Sequence, residues 1–199
     1  MFRNKNEWNI VETEVKIRLN SIRDLILNDL TIYENQINSF IQILLDAVNC
    51  GNKIVFMGNG GSAAEATHLA AEFTGKCVVP HRPIAALCLN ESFSAITAIG
   101  NDYGFNEIFT RQVDAHVKQG DIVVALSTSG RSQNILDALE LAVKLEAKCY
   151  LWTGKVNLDI PGVEIWKVPS NSTPRIQEIH LMWGHIIAEV FEIMLTENP

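Results

Sequence analysis

The chain reads as an α/β protein: a three-layer α-β-α sandwich on a five-stranded parallel sheet, preceded by N-terminal helices and closed by a long C-terminal helix. Three observations predict this. Five short, nearly continuous apolar runs alternate with segments of helical period. The first fifty residues carry helical period alone, and the segment 173–197 is apolar well beyond a single stripe.

From Glu7 to Asn49 the apolar residues recur at helical spacing, and NDLTIYEN (28–35) breaks the run, with Thr31 as the expected N-cap of a second helix. The period then changes. KIVFMG (53–58), AALCLN (85–90), DIVVALS (121–127), KCYLWT (148–153) and VEIWKV (163–168) are predicted strands. Between them lie helical stretches at 62–74, 91–99, 106–118 and 132–146, each long enough to cross back over a parallel sheet. The last helix, TPRIQEIHLMWGHIIAEVFEIMLTE (173–197), opens with Thr173 as N-cap and Pro174 at the first helical position. So much apolar helix on a small domain predicts burial against another subunit.

At 199 residues and 47% hydrophobic, the chain supports one core and one domain, 1–199. A net charge of −7 with interspersed signs argues against a nucleic-acid-binding face. Cys50, Cys77, Cys88 and Cys149 lie far apart without a CxxC, so they read as free thiols in a reducing cytosol. MFRNKNEWNIVETEVK lacks an apolar signal core, and no stretch reaches the roughly 18–20 apolar residues of a membrane span. A cytoplasmic protein with no membrane partner is expected.

Two loops at strand ends carry chemistry. Gly58-Asn59-Gly60-Gly61-Ser62 follows an apolar strand and opens a helix, where glycines admit a ligand close to the backbone and free amides favour an anion. A dinucleotide fingerprint also fits it, but the acidic residue that should end the next strand is Asn90, and no Walker lysine follows. The second loop, LSTSGRSQN (126–134), sets Ser127, Thr128, Ser129 and Ser132 around a glycine just before a helix. Capping accounts for one hydroxyl at most; the set suits a single phosphate, and the two loops together a sugar phosphate.

His68 and Glu72, four apart, share a helix face one turn past the glycine loop. Such a pair binds a metal, supplies an acid and a base, or forms a helical contact; its place beside a ligand loop favours the chemical readings. In the last helix Gln177, His180 and His185 interrupt an apolar sequence, and burying them requires partners. Gln177 and His185 are separated by about 12 Å of helix rise, so they meet at one ligand only by leaning inward or by coming from different subunits. His81 and His116 carry no comparable argument, and Trp152, Trp166 and Trp183 read as core or subunit interface.

These residues resemble the SIS (sugar isomerase) domain family and, within it, the phosphoheptose isomerases, over roughly residues 30–197. The resemblance rests on GNGGS (58–62), HLAAEFTG (68–75), AIGNDYGFNEIF (98–109), STSGRS (127–132), LWTGK (151–155) and RIQEIH with His185. It implies the SIS fold, with 1–50 mainly serving oligomerisation and 51–199 binding a sugar phosphate. The implied activity converts sedoheptulose 7-phosphate to D-glycero-D-manno-heptose 7-phosphate through an enediol, the first step toward ADP- or GDP-heptose for lipopolysaccharide, capsule or surface-layer glycan. Implied substrate contacts are Asn59, Gly60, Gly61, Glu72, Asn101, Asp102, Ser127, Thr128, Ser129, Ser132 and Gln177. Implied ligands for one zinc per subunit are His68, Glu72, Gln177 and His185, with Glu72 and His185 as the proton-transfer pair. The family's homotetramers, with active sites between subunits, are implied as well. The alternatives within the family are a non-catalytic adaptor that binds the replication initiator, and a sugar-phosphate sensor; the adaptor is expected to lack the acid-base pair kept here.

Overall fold

A computed structural model describes residues 5–197, with side chains over 10–196. Met1 to Asn4 and the last two positions of the expected 1–199 domain lie outside the described residues. The elements run α1 (Lys5–Asn28), α2 (Leu30–Asn49), β1 (Ile54–Gly58), α3 (Gly61–Thr74), β2 (Ala86–Cys88), α4 (Phe93–Asp102) and α5 (Glu107–His116). They continue as β3 (Ile122–Ser127), α6 (Gln133–Lys144), β4 (Lys148–Thr153), β5 (Val163–Lys167) and α7 (Thr173–Glu197).

The five strands form one parallel sheet in the order β2-β1-β3-β4-β5. The three central strands, β1, β3 and β4, are buried on both faces, the edge strands less so, and alternate residues feed two separate cores. Ile54, Phe56, Val124, Leu126, Trp152 and Trp166 point into the core under α2, α3 and α7. Val55, Met57, Val123, Ala125 and Leu151 point into the core under α5 and α6. The expected three-layer sandwich, five strands and long closing helix are all present.

Local differences have local causes. The break between the first two helices falls at Asp29, not Thr31, and neither a capping side chain nor an acidic first turn supports it; tertiary packing of Tyr33, Ile37, Phe40 and Leu44 places that helix. α2 is therefore a layer of the core, whatever it adds between subunits. α7 starts at Thr173 itself, so Pro174 takes the second helical position. The predicted strand 85–90 shortens to three residues, because Asn90 turns its amide back onto Gly58, accepting from its N–H (3.1 Å) and donating to its carbonyl (2.9 Å).

Trp152 and Trp166 stack at 5.4 Å, with Trp183 edge-on to both, so all three are core. The four cysteines are free; Cys88 and Cys149 are buried, Cys77 is half-buried and Cys50 exposed. Contrary to the sequence expectation, one helix among the described residues is long and apolar enough to cross a membrane: Thr173–Thr196, with a mean hydropathy of 1.3. In this fold it packs along α2 and α3 and buries Ile176, Ile179, Trp183, Ile187 and Phe191.

Candidate active site

The chain reverses direction across the sheet between β1 and β3, since β1 continues to β2 on one side while β3 continues to β4 on the other. Ligands of open parallel sheets bind at the carboxyl ends of strands at such a point. A cleft of about 210 Å³ opens there, lined by Asn59, Gly61, Ser62, Ser127, Thr128, Ser129, Ser132, Thr173 and Gln177. The first turns of α3, α6 and α7 all reach it, so backbone N–H groups and helix dipoles favour an anion.

The glycine turn is built by exclusion. A Cβ on Gly58 would lie 2.5 Å from the Ser62 carbonyl oxygen, Gly60 has φ +59°, and a Cβ on Gly61 would lie 2.3 Å from Gln177 Nε2. Asn59 and Asn134 exchange amide hydrogen bonds of 2.9 and 3.1 Å, tying this turn to the start of α6. The Asn59 side chain is thus committed to the scaffold. In the serine loop Ser132 occupies the N-cap of α6 without donating or accepting a side-chain capping bond, while Ser129 Oγ accepts from Arg131 N at 3.2 Å. Capping does not consume the hydroxyls.

The second constellation lies further along the same two helices. His68 Nε2 is 2.8 Å from His185 Nε2 and 3.3 Å from Glu72 Oε1, and the three ligand atoms fall within 4.8 Å of one another. Two imidazole nitrogens that close require one lone pair to face either an N–H or a shared cation. Two imidazoles and a carboxylate are a donor set that suits zinc, with a further position open. The Cys77 thiol lies beside Glu72; burial first, then Glu72, pushes it up to about 11, so it stays neutral.

Not every expected residue joins these groups within one chain. Gln177 sits at the cleft, against Gly61, two turns before His185 on α7. Asn101 and Asp102 end α4, exposed and hydrogen-bonded to each other at 2.8 Å; Asp102 lines a separate hollow with Tyr103 and Arg111. His116 is exposed. The His81 side chain is buried, with Nε2 3.2 Å from Glu192 and Nδ1 2.6 Å from the Arg82 carbonyl.

Several contributing residues escape the sequence reading. Asn90 and Asn134 brace the glycine turn, and Glu192 on α7 accepts from the backbone N–H groups of Cys77, Val78 and Val79, anchoring the loop after Glu72. Burial alone would raise Glu192, but those N–H groups and His81 outweigh it and hold its carboxyl low. Glu65 and His180 are buried between α3 and α7, 3.9 Å apart. Burial pushes Glu65 up to about 7 and His180 down to about 3. A polar residue inside an apolar helical stripe is the one signal that marked His180 in sequence; Glu65 had none.

The SIS domain family model matches residues 19–154. The phosphoheptose isomerase of Citrifermentans bemidjiense is 47% identical over 158 residues, 78% of this chain and 82% of its own length. That of Clostridium acetobutylicum is 38% identical over 190 residues, 92% and 94% of the two chains. The solved phosphoheptose isomerase GmhA of Neisseria gonorrhoeae superposes with a TM-score of 0.84 at 31% identity, covering 92% of this chain and 99% of its own. With glycine turn, serine loop and His-Glu-His cluster set on this sheet, the chain belongs to the SIS domain family.

Proposed function

We propose that the chain is a phosphoheptose isomerase, interconverting sedoheptulose 7-phosphate and D-glycero-D-manno-heptose 7-phosphate through an enediol. One observation carries the reading: in a chain with such relatives, Glu72 and His185 come within reach of one point. An adaptor or sensor has no use for that pair. The cleft and the pair are separated by the seven residues from Gly61 to His68, about 10 Å of helix rise, so a ligand touching both is extended.

The serine loop, with Ser127, Thr128, Ser129 and Ser132, takes the phosphate on hydroxyls and helix-start amides, and Gly60, Gly61 and Gln177 face the sugar. Glu72 removes the C1 proton while His185 protonates O2, giving the enediol; His185 then takes the O1 proton as Glu72 returns its proton to C2. Glu72 ends the cycle as the carboxylate, and His185 ends it with the proton count it began with. Zinc held by His68, Glu72 and His185 would polarise the substrate oxygens, and Glu72 and His185 would have to be displaced from it in part to move protons. Gln177 would be the fourth ligand on the family pattern; about 12 Å of helix rise separates it from His185, so it would join them by leaning inward or by coming from a second copy.

The same reading includes a homotetramer. Ile10, Val15, Ile17, Leu19 and Leu27 on α1 and Ile186, Val190 and Ile193 on α7 are exposed apolar residues that a neighbouring subunit would cover. Asn101 and Asp102 are assigned to a neighbour's site. We read residues 1–199 as a single cytoplasmic SIS domain that supplies heptose phosphate for surface glycans.

Proton NMR of sedoheptulose 7-phosphate in deuterium oxide tests this, with wild type beside Glu72→Gln. The aldose forms only with wild type, with deuterium at C2 to the extent that the Glu72 carboxyl exchanges its proton with solvent before returning it. Full turnover by Glu72→Gln would remove Glu72 from its role, and no turnover by wild type would remove the isomerase.

A further inference from the structure

α3 and α7 run side by side in the same direction, and their contacts keep step along the chain: Gly61 meets Gln177, Glu65 meets His180, Leu69 meets Gly184, and Cys77 meets Glu192. The first of these pairs lines the cleft, and at the third Leu69 fills the space left by Gly184. The second lies between them and has no part in the proton transfers above.

Glu65 and His180 are 5% and 0% exposed, with His180 Nδ1 3.9 Å from Glu65 Oε1. Neither oxygen of Glu65 and neither ring nitrogen of His180 meets a partner at full hydrogen-bond geometry among the described residues. Ser62 and Gln177 lie close enough to Glu65 to favour its charged form, and the Thr153 carbonyl does the same for His180. Buried polar groups held at less than full hydrogen-bond geometry are costly, and apolar side chains would serve a mere packing role better. What they adjoin gives them a use: the Gln177 amide lies beside Glu65 on one side and the backbone of Gly61 on the other, where a Cβ would lie 2.3 Å from its Nε2.

We propose that Glu65 and His180 are positioning residues that hold the Gln177 amide against Gly61 at the cleft, and so set where the sugar lies relative to the serine loop. His180 backs Glu65, and Glu65 orients Gln177; neither touches the substrate. The inference rests on the isomerase reading for its substrate, while the geometry stands apart from it.

The test is a cycle of Glu65→Gln, Gln177→Ala and the double variant. It reads KM and kcat for sedoheptulose 7-phosphate, calorimetric binding of that sugar phosphate and of inorganic phosphate, and thermal unfolding. Glu65→Gln is expected to stay folded and to raise KM about tenfold, as for one lost hydrogen bond, with kcat changed much less. Inorganic phosphate, held by the serine loop, should bind within about twofold of wild type. The double variant should be no worse than Gln177→Ala, because Glu65 acts through Gln177. A folded Glu65→Gln with wild-type KM overturns the proposal, as do losses that multiply in the double variant. Should Glu65→Gln unfold, His180→Asn and Glu65→Asp enter the same cycle; unfolding of all three makes the pair a stability element and also overturns it. If wild type binds the sugar phosphate without turning it over, the isomerase reading falls, and the calorimetric cycle still decides the positioning role. If wild type binds neither ligand, both fall.

Discussion

Leu69 packs where Gly184 has no side chain: a Cβ at Gly184 would lie 2.3 Å from Leu69 Cδ2 and 2.7 Å from Cδ1. This contact sets how closely α3 and α7 approach, and the neighbouring His68 and His185 depend on that approach for their 2.8 Å separation. Gly184→Ala should therefore cost about 1–3 kcal/mol in urea unfolding, because Leu69 is fully buried and has nowhere to go. Activity should fall further than stability explains, as the imidazoles separate. A variant as stable and active as wild type would show that Leu69 simply repacks.

Gly61→Ala should behave differently. The atom it would strike is the end of the flexible Gln177 side chain, which can swing away, so folding stability should change by less than about 1 kcal/mol. KM for the sugar phosphate should rise about tenfold as Gln177 leaves the cleft. Steady-state kinetics beside a melting curve separate the two effects.

Asp121 gives the acid limb of stability. Its buried carboxylate accepts from Lys53 N at 3.0 Å and Lys118 N at 2.9 Å and pairs with the Lys53 ammonium, joining the starts of β1 and β3. Burial alone would raise its pKa, but these partners outweigh it and hold the carboxyl below 3.8. A carboxyl made more acidic by folding contributes stability that is complete above its ordinary pKa and is lost as pH falls below about 4. Asp121→Asn should cost about 3 kcal/mol at neutral pH and flatten the fall in unfolding free energy below pH 4. Parallel acid dependence in variant and wild type would count against this.

The His-Glu-His cluster predicts its own metal content. Wild type dialysed against zinc should retain one ion per subunit by elemental analysis, and His68→Ala should retain much less while still binding inorganic phosphate at the serine loop. Equal zinc in the two proteins would place the ion elsewhere.

Glu192→Gln should loosen the loop after Glu72. Cys77 N–H donates to one carboxylate oxygen and Val78 and Val79 N–H to the other; the amide keeps one acceptor and turns the other into a donor, so faster hydrogen exchange is expected across 77–79, with little change in the serine loop.

Most of this architecture is local information. Short apolar runs such as IVFMG and IVVALS, bounded by turn residues, read as strands covered on both sides, and a glycine turn or a serine loop placed at their ends points to a ligand before any contact is known. The i,i+4 spacing of His68 and Glu72 likewise needs nothing beyond helix geometry. The other partners are separated by a hundred residues or more, and one-dimensional periodicity has no term for the register of α7 against α3. That register brings His185 to His68, leaves Gln177 at the cleft, pairs Glu65 with His180 and puts Glu192 under the loop at 77–79. Sequence alone determined which residues could do chemistry; the packing of two parallel helices, limited by Leu69 against Gly184, decided which of them meet.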